Sequence, residues 1–399
     1  MTRSIDLEGA IAAAGIVDLA SRLVQIPSHP GIDRQEEGVV RALEGFLVEA
    51  GLFCRLVEVA PGRPNLYCTL DSGRSGRHLM LCGHTDTVPL NAAGPGVGFS
   101  GEIRDGHLLG RGSADMKGAL AAMAGTLVAL HRAGALETGA VTLAAVIDEE
   151  MESLGAEHLV GTGERADAAI VGEATSNEIA IGHRGLEWLE IELRGRSAHG
   201  GAPEAGVSAI RAAARFIDRA ERELAPRFAA RAHPVLGPPT LNVGTIRGGD
   251  QPSTVPAKCV LRVDRRTVPG ESFQDVVREL QELLRAVESE MEGLRSAVRR
   301  MPGGMATLEH VALVTEPSHP IVRSAEEARR EVLGDTGRLT TFPAWSDGAL
   351  LSRFGGIPSI ILGPGKLSLA HSPFESVPVE DLLDAARIYA LTATLFCSP

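Results

Sequence analysis

Residues 78–89 read HLMLCGHTDTVP. The apolar run Leu79–Cys82 has the length of a short buried strand, and it stops at Gly83. His84 and Asp86 follow two positions apart, so on an extended chain both side chains leave the same face. A carboxylate beside a histidine can hold one ring nitrogen while the other faces a ligand, the usual setting of a metal-binding histidine. By itself an H-x-D pair reads as a satisfied structural histidine, and the surrounding chain has to decide.

Outward from this stretch, the pattern alternates. Toward the N-terminus, residues 7–26 have helical apolar spacing and are stopped by Pro27. Asp33 reads as the N-cap of a second helix with Val39, Val40, Leu43, Phe46 and Leu47 as its apolar stripe and Gly51 at its end. Strands are expected at 52–59 and 64–70, and a surface loop over 91–106. Toward the C-terminus, GRGSADMKG (110–118) delivers Asp115 just before an apolar helix over 118–131. Its glycines fit neither phosphate-loop spacing, and a carboxylate stabilised by the helix dipole is the plain reading of Asp115. The strand AVTLAAVI (140–147) runs into Asp148-Glu149-Glu150, and the strand 168–171 runs into Gly172-Glu173. Acids gathered at strand ends repel one another unless they are solvated or a positive charge sits among them.

The character changes after residue 181. GLEWLEIELRG alternates like a strand with one wet face and is followed by SAHGG, with His199. Helices over 206–224 and 271–288, strands at TLNVGTIRGG and KCVLRVDRRTV, and one more strand within 289–318 make a two-layer α+β series. Arg211, Arg215, Arg219 and Arg222 read as a solvated basic helix face. The α/β pattern returns near 320, with a helix over 320–333, the strand IPSIIL, the turn GPGKLSLAHS containing His371, and a last helix over 379–396. The fold class is therefore α/β. A doubly wound larger domain with a central mixed sheet (1–181 and 315–399) carries an inserted two-layer α+β domain (182–314).

The chain has 399 residues and a formal charge of −12, which argues against a nucleic-acid partner. It has no apolar run of membrane-spanning length, and the N-terminus, with Asp6 and Glu8, does not read as a secretory signal. A cytoplasmic protein without a membrane partner is expected. The five cysteines lack C-x-x-C spacing and fit reduced thiols.

His84, Asp115, Glu149 or Glu150, Glu173 and His371 all fall at strand ends or loops, and such ends converge at one edge of an α/β sheet. Two histidines and several carboxylates suit zinc, with cobalt or manganese as substitutes. The series HTDTVP, GRGSADMKG, DEE, GEAT, SAHG and AHSPFE resembles the zinc-dependent deacylase and exopeptidase family, over essentially the whole chain and in order. That family includes acetylornithine deacetylase, succinyl-diaminopimelate desuccinylase, aminoacylase and glutamate carboxypeptidase. The resemblance implies two Zn2+ per chain. His84 and Glu173 would hold one, Glu150 and His371 the other, and Asp115 would bridge them. It further implies that Asp86 orients His84, that Glu149 is the general base, and that the Asp115–Met116 bond is cis.

The inserted domain would act as a lid and dimerisation domain, with His199 stabilising an oxyanion in the partner's site of a homodimer. Arg266 in VDRRTVPGES matches the family's binder of a substrate α-carboxylate. Arg265 and a structural ion pair remain open there, and Asn242 and Gly363 are expected to line the pocket. Thr254 departs from the family, where asparagine is expected. The substrate implied is a small N-acylated amino acid or short peptide. Hydrolysis of a dipeptide or C-terminal peptide bond, or of an N-carbamoyl amino acid, stays open, as does a silent binding protein on the same scaffold.

Overall fold

A computed structural model describes residues 6–91, 96–301 and 308–398. The chain divides into two compact units, Met1–His183 with Leu313–Pro399, and Arg184–Ala312.

The two large sheets comprise β1 (Cys54–Ala60), β2 (Arg63–Asp71), β3 (His78–His84), β4 (Ala140–Val146), β5 (Ala168–Val171), β6 (Gly185–Arg194), β7 (Thr240–Gly248), β8 (Lys258–Thr267), β9 (Arg295–Arg300) and β10 (Ser359–Ile361). The first unit holds a six-stranded sheet in the order β1-β2-β4-β3-β5-β10. Its centre is parallel: β3 pairs in parallel with β4 and β5, and β5 with β10. The β1–β2 hairpin joins β4 antiparallel, which makes the sheet mixed.

β3 is buried on both faces, so it reads as a continuous apolar run. Met80 and Cys82 join a cluster with Val146, Val171, Leu159 and Leu351, on the side of the helices Leu154–Thr162 and Gly348–Arg353. Gly83, on the alternate face, lies against Leu120 of the helix Lys117–Ala133. That helix packs on β3 and against the C-terminal helix Val379–Cys397. It is buried nearly all round, so its sequence shows little amphipathic periodicity.

The second unit is a four-stranded antiparallel sheet, β7-β8-β6-β9. Leu189, Ile191, Leu193, Cys259, Leu261 and Val263 face the helices Ala209–Ala230 and Phe273–Glu290. The second helix begins with a reciprocal capping box between Ser272 and Asp275. On the outer face Glu190 pairs with Arg262 and Arg299, and Glu192 with Arg194 and Lys258.

Some expectations are corrected. The helix expected over 7–26 is two, Leu7–Ala12 and Ile16–Val24, because Gly15 adopts φ 77° between them. Asp33 caps nothing. Arg34 and Gln35 turn through positive φ, and the helix starts at Glu37. Within the expected loop 91–106, Ile103–Arg104 pairs with His107–Leu109 as a short hairpin, and residues 92–95 lie outside the described residues. Within 289–318 there is, besides β9, a second short strand, Leu313–Val314, paired with Gly182–His183, and residues 302–307 lie outside the described residues. No described helix is long and apolar enough to cross a membrane.

Candidate active site

Parallel pairing explains why distant acids meet. His84 ends β3 opposite Val146 of β4, and Cys82 stands opposite Val171 of β5. Three residues past β4 lies Glu149, and two past β5 lies Glu173. These strands end at one edge, and Asp115 comes to it at the start of the helix Lys117–Ala133. The Asp115–Met116 peptide bond is cis. His371 and Asp148 both adopt left-handed φ, 61° and 72°, a conformation that non-glycine residues adopt at a cost of about 1–3 kcal/mol.

The Asp115 carboxylate lies between two imidazoles. Oδ1 is 3.0 Å from His84 Nε2, and Oδ2 is 3.2 Å from His371 Nε2. Glu173 Oε1 is 3.8 Å from His84 Nε2, and Glu150 Oε1 is 3.0 Å from His371 Nε2. Donor atoms of His84, Glu149 and Glu173 lie within 4.8 Å of one another, as do those of His84, Asp115 and Glu150.

Asp86 does more than sit beside His84. Its backbone carbonyl accepts from His84 Nδ1 at 3.0 Å, and its carboxylate lies 3.5 Å from the same nitrogen. Its two carboxylate oxygens accept from the amides of Glu149 and Glu150, at 3.1 and 3.0 Å. Asp86 therefore ties the end of β3 to the acidic turn after β4.

Because Nδ1 of His84 must donate to a carbonyl, a neutral ring turns the lone pair of Nε2 toward the oxygens of Asp115 and Glu173. Acceptor facing acceptor is stable only with a proton or a cation between them. The charges say the same. Burial, with the negative charge of Glu173, pushes Glu149 well above the ordinary carboxylate range. Burial and Asp115 do so for Glu173 and, less strongly, for Glu150. Hydrogen bonds to Asp115 and Glu150 push His371 up to about 10. Although burial opposes it, His371 and His84 hold Asp115 below its ordinary value. The carboxylates of this nitrogen and oxygen donor set draw positive charge to the site, and divalent cations fit it.

Three further residues matter. Glu375 is fully buried, and its Oε1 accepts from the amides of Gly112, Ala114 and Asp115 at 2.9, 3.1 and 3.1 Å. Its other oxygen takes Arg111. It thus fastens the Asp115 loop to the His371 segment. The P-x-E of AHSPFE was its signal in the sequence, although spacing does not give the role. Asp347 is buried, and its Oδ1 has no hydrogen-bond partner among the described residues. Burial, against the attraction of His84, pushes it up to about 7. Arg63 pairs with Asp148 and buried Glu36, supporting the acidic turn. Nothing in the sequence pattern marks that trio.

Gly363 is buried against the end of β5, where a Cβ would lie 2.2 Å from Gly172 O and 2.5 Å from Glu173 O. A side chain there would therefore press on the backbone that carries Glu173.

His199, Asn242 and Arg266 belong to the second unit. His199 is exposed, and its Nδ1 accepts from the Gly201 amide at 3.0 Å. A neutral ring then carries its proton on Nε2. Thr254 bridges His199 across the backbone. Arg266 is held by Asp264 through Nε and Nη2, at 2.8 and 3.0 Å. Arg265 is fully buried with Glu271 and Glu279 over the Phe228 ring, which removes it as the alternative ligand binder. Asn242 is exposed on β7 opposite Asp264.

Fold and site define an α/β protein with a carboxylate–histidine centre, of the kind that holds metal, at the C-terminal edge of its parallel strands. The chain belongs to peptidase family M20/M25/M40, whose family model matches residues 80–395. It is 32% identical over 381 residues to an acetylornithine deacetylase of Myxococcus xanthus, covering 93% of each chain. It is 29% identical to that of Proteus mirabilis (strain HI4320), covering 96% of each. The fold matches a tripeptidase of Staphylococcus aureus subsp. aureus mu50 with a TM-score of 0.79 at 24% identity, over 96% of this chain and 98% of that one. It also matches a dinuclear metal binding peptidase of the M20 family from Bacillus subtilis, with a TM-score of 0.70 at 16% identity over 98% and 99%. The chain is a hydrolase acting on amide or peptide bonds.

Proposed function

We propose that this chain is a dinuclear zinc amidohydrolase that cleaves an N-acyl-α-amino acid into a carboxylic acid and a free amino acid. The observation that carries the reading is the Asp115 carboxylate set between His84 and His371, with one oxygen turned to each ring. The full-length similarity to acetylornithine deacetylases supports the acylated amino acid as substrate class.

In this reading His84, Asp115 and Glu173 would hold one zinc, and Asp115, Glu150 and His371 the other; cobalt or manganese could replace them. When bound, such a pair polarises an amide carbonyl and makes water a nucleophile near neutral pH. The chain's own residues do the rest. Asp86 fixes the ring of His84 and the turn that carries Glu149. Glu149 takes a proton from the attacking water and delivers it to the leaving nitrogen as the C–N bond breaks. Burial and the charge of Glu173 raise its affinity for a proton, which suits a general base.

By the resemblance, His199 serves the partner's site in a homodimer, where Nε2–H would donate to the developing oxyanion. Arg266 would meet the substrate carboxylate through Nη1, since Asp264 occupies its other edge. Asn242 would line the same pocket, and Gly363 would contribute through the position of Glu173.

The test is metal content together with hydrolysis of a panel: N-acetyl-ornithine, N-succinyl-diaminopimelate, N-acetyl-methionine, N-carbamoyl-alanine and several dipeptides. Two metals per chain and chelator-sensitive turnover of one acylated amino acid are expected. Turnover of dipeptides alone would replace the deacylase reading with a peptidase one. Protein without bound metal and without turnover would end both.

A further inference from the structure

β1 is the edge strand of the six-stranded sheet and is joined to it through β2. In the β1–β2 register Cys54 stands directly opposite Cys68. Opposed residues on antiparallel strands have Cα atoms about 4.5 or 5.5 Å apart. Disulfides span Cα separations of about 4.4–6.8 Å, so either spacing admits one. The other cysteines stand elsewhere: Cys82 on β3, Cys259 in the second unit, and Cys397 in the last helix, where its thiol donates to the Ala140 carbonyl at 3.3 Å.

Access differs between the two. Cys68 is buried, whereas Cys54 is half-buried and follows Phe53, which is 84% exposed. An oxidant in solution therefore meets Cys54 first, and Cys68 lies behind it as the resolving thiol. None of the metal-type donors lies on this hairpin.

We propose that Cys54 and Cys68 form a reversible cross-strand disulfide that fastens the edge strand β1 to the sheet. The oxidant is a small disulfide of the glutathione class. The Cys54 thiolate attacks one of its sulfurs, the S–S bond breaks, and one glutathione thiolate leaves. The Cys68 thiolate then attacks the Cys54 sulfur and expels the second glutathione. Two protein thiols lose two protons and two electrons, and one oxidised glutathione becomes two thiols. The new bond closes a loop of about 15 residues, which restricts the unfolded chain and keeps the edge strand from fraying toward other chains.

The experiment treats the metal-loaded full chain with oxidised glutathione at pH 8 and follows intact mass, disulfide mapping and thermal midpoint. A mass lower by about 2 Da, a Cys54–Cys68 linked peptide, and a midpoint higher by about 5 °C are expected. All three should reverse with dithiothreitol, and amide hydrolysis should stay within about twofold because the hairpin carries no metal donor. Cys68→Ser should instead stop at a stable glutathione adduct on Cys54. Mapping on the native chain is decisive even where a variant folds poorly. Two thiols left unmodified, a persistent glutathione adduct on the native chain, or a link between any other pair would overturn the proposal.

Discussion

Replacing Glu375 by glutamine tests how the two halves of the site are held together. Glu375 and Asp115 are 260 positions apart, yet one oxygen of Glu375 accepts three amides of the Gly112–Asp115 turn. A glutamine carbonyl can still take those amides. Its NH2 group would then face the Arg111 guanidinium, donor against donor. Arg111 is itself buried; among the described residues its Nε has no partner and Nη2 reaches Asn91 at 3.0 Å. Breaking a buried ion pair by removing one member costs about 3–5 kcal/mol. In a unit of this size each kcal/mol moves the thermal midpoint by about 2–4 °C, so a fall on the order of 10 °C is expected.

A displaced turn also displaces Asp115, and loss of a partner that orients a ligand weakens metal binding by about 10–100-fold. Burial and the charge of Asp115 push Glu375 up to about 7. The comparison therefore belongs at pH 8, where the native carboxylate is ionised. Melting of the chelator-stripped proteins reports the fold, and competition with a chromogenic chelator reports the metal. A Glu375→Gln midpoint within about 2 °C of the native one, with unchanged competition, would refute the idea that this carboxylate holds the loop.

Three other expectations can be checked directly. Glu149→Gln should keep its metal content while kcat falls by about 10²–10⁴-fold, the span of general acid–base catalysis; near-native turnover would remove Glu149 from the base role. Gly363→Ala drives a Cβ into the backbone of Gly172 and Glu173, so a loss of about 1–3 kcal/mol and less metal per chain by elemental analysis are expected. In chelator-stripped protein, Asp115 and Glu150 raise His371 from 6.5 to about 10. A raised folded-state pKa gives stability that is complete below pH 6.5 and lost as pH rises through about 10. The midpoint of the stripped native protein should decline across that window, the decline should be shallower in His371→Ala, and a parallel decline in both would exclude His371 as its source.

Much of the architecture was legible because burial leaves simple traces. A strand covered on both faces by apolar groups is a run such as Leu79–Cys82, and one whose outer face is covered by ion pairs alternates as LEIELR does. Boundaries set by one backbone angle were not legible. Gly15 splits a periodic segment into two helices, and Arg34 and Gln35 delay the next one. Among the site residues, those at strand ends could be read, since parallel strands deliver their C-termini to one edge. Residues whose role depends on a partner far along the chain could not: Glu375 with the Gly112–Asp115 turn, and Arg63 with Asp148 and Glu36.

By itself the sequence determined which residue types stand at strand ends, and so the α/β class and a nitrogen and oxygen donor set of metal-binding character. Only the tertiary structure decided that Asp115 turns one oxygen to each histidine, that Asp86 ties β3 to the acidic turn, and that Gly363 must lack a side chain. The physical reason is range. Periodicity records what each residue buries locally, whereas a hydrogen bond or a steric limit between distant segments exists only once the sheet has brought them together.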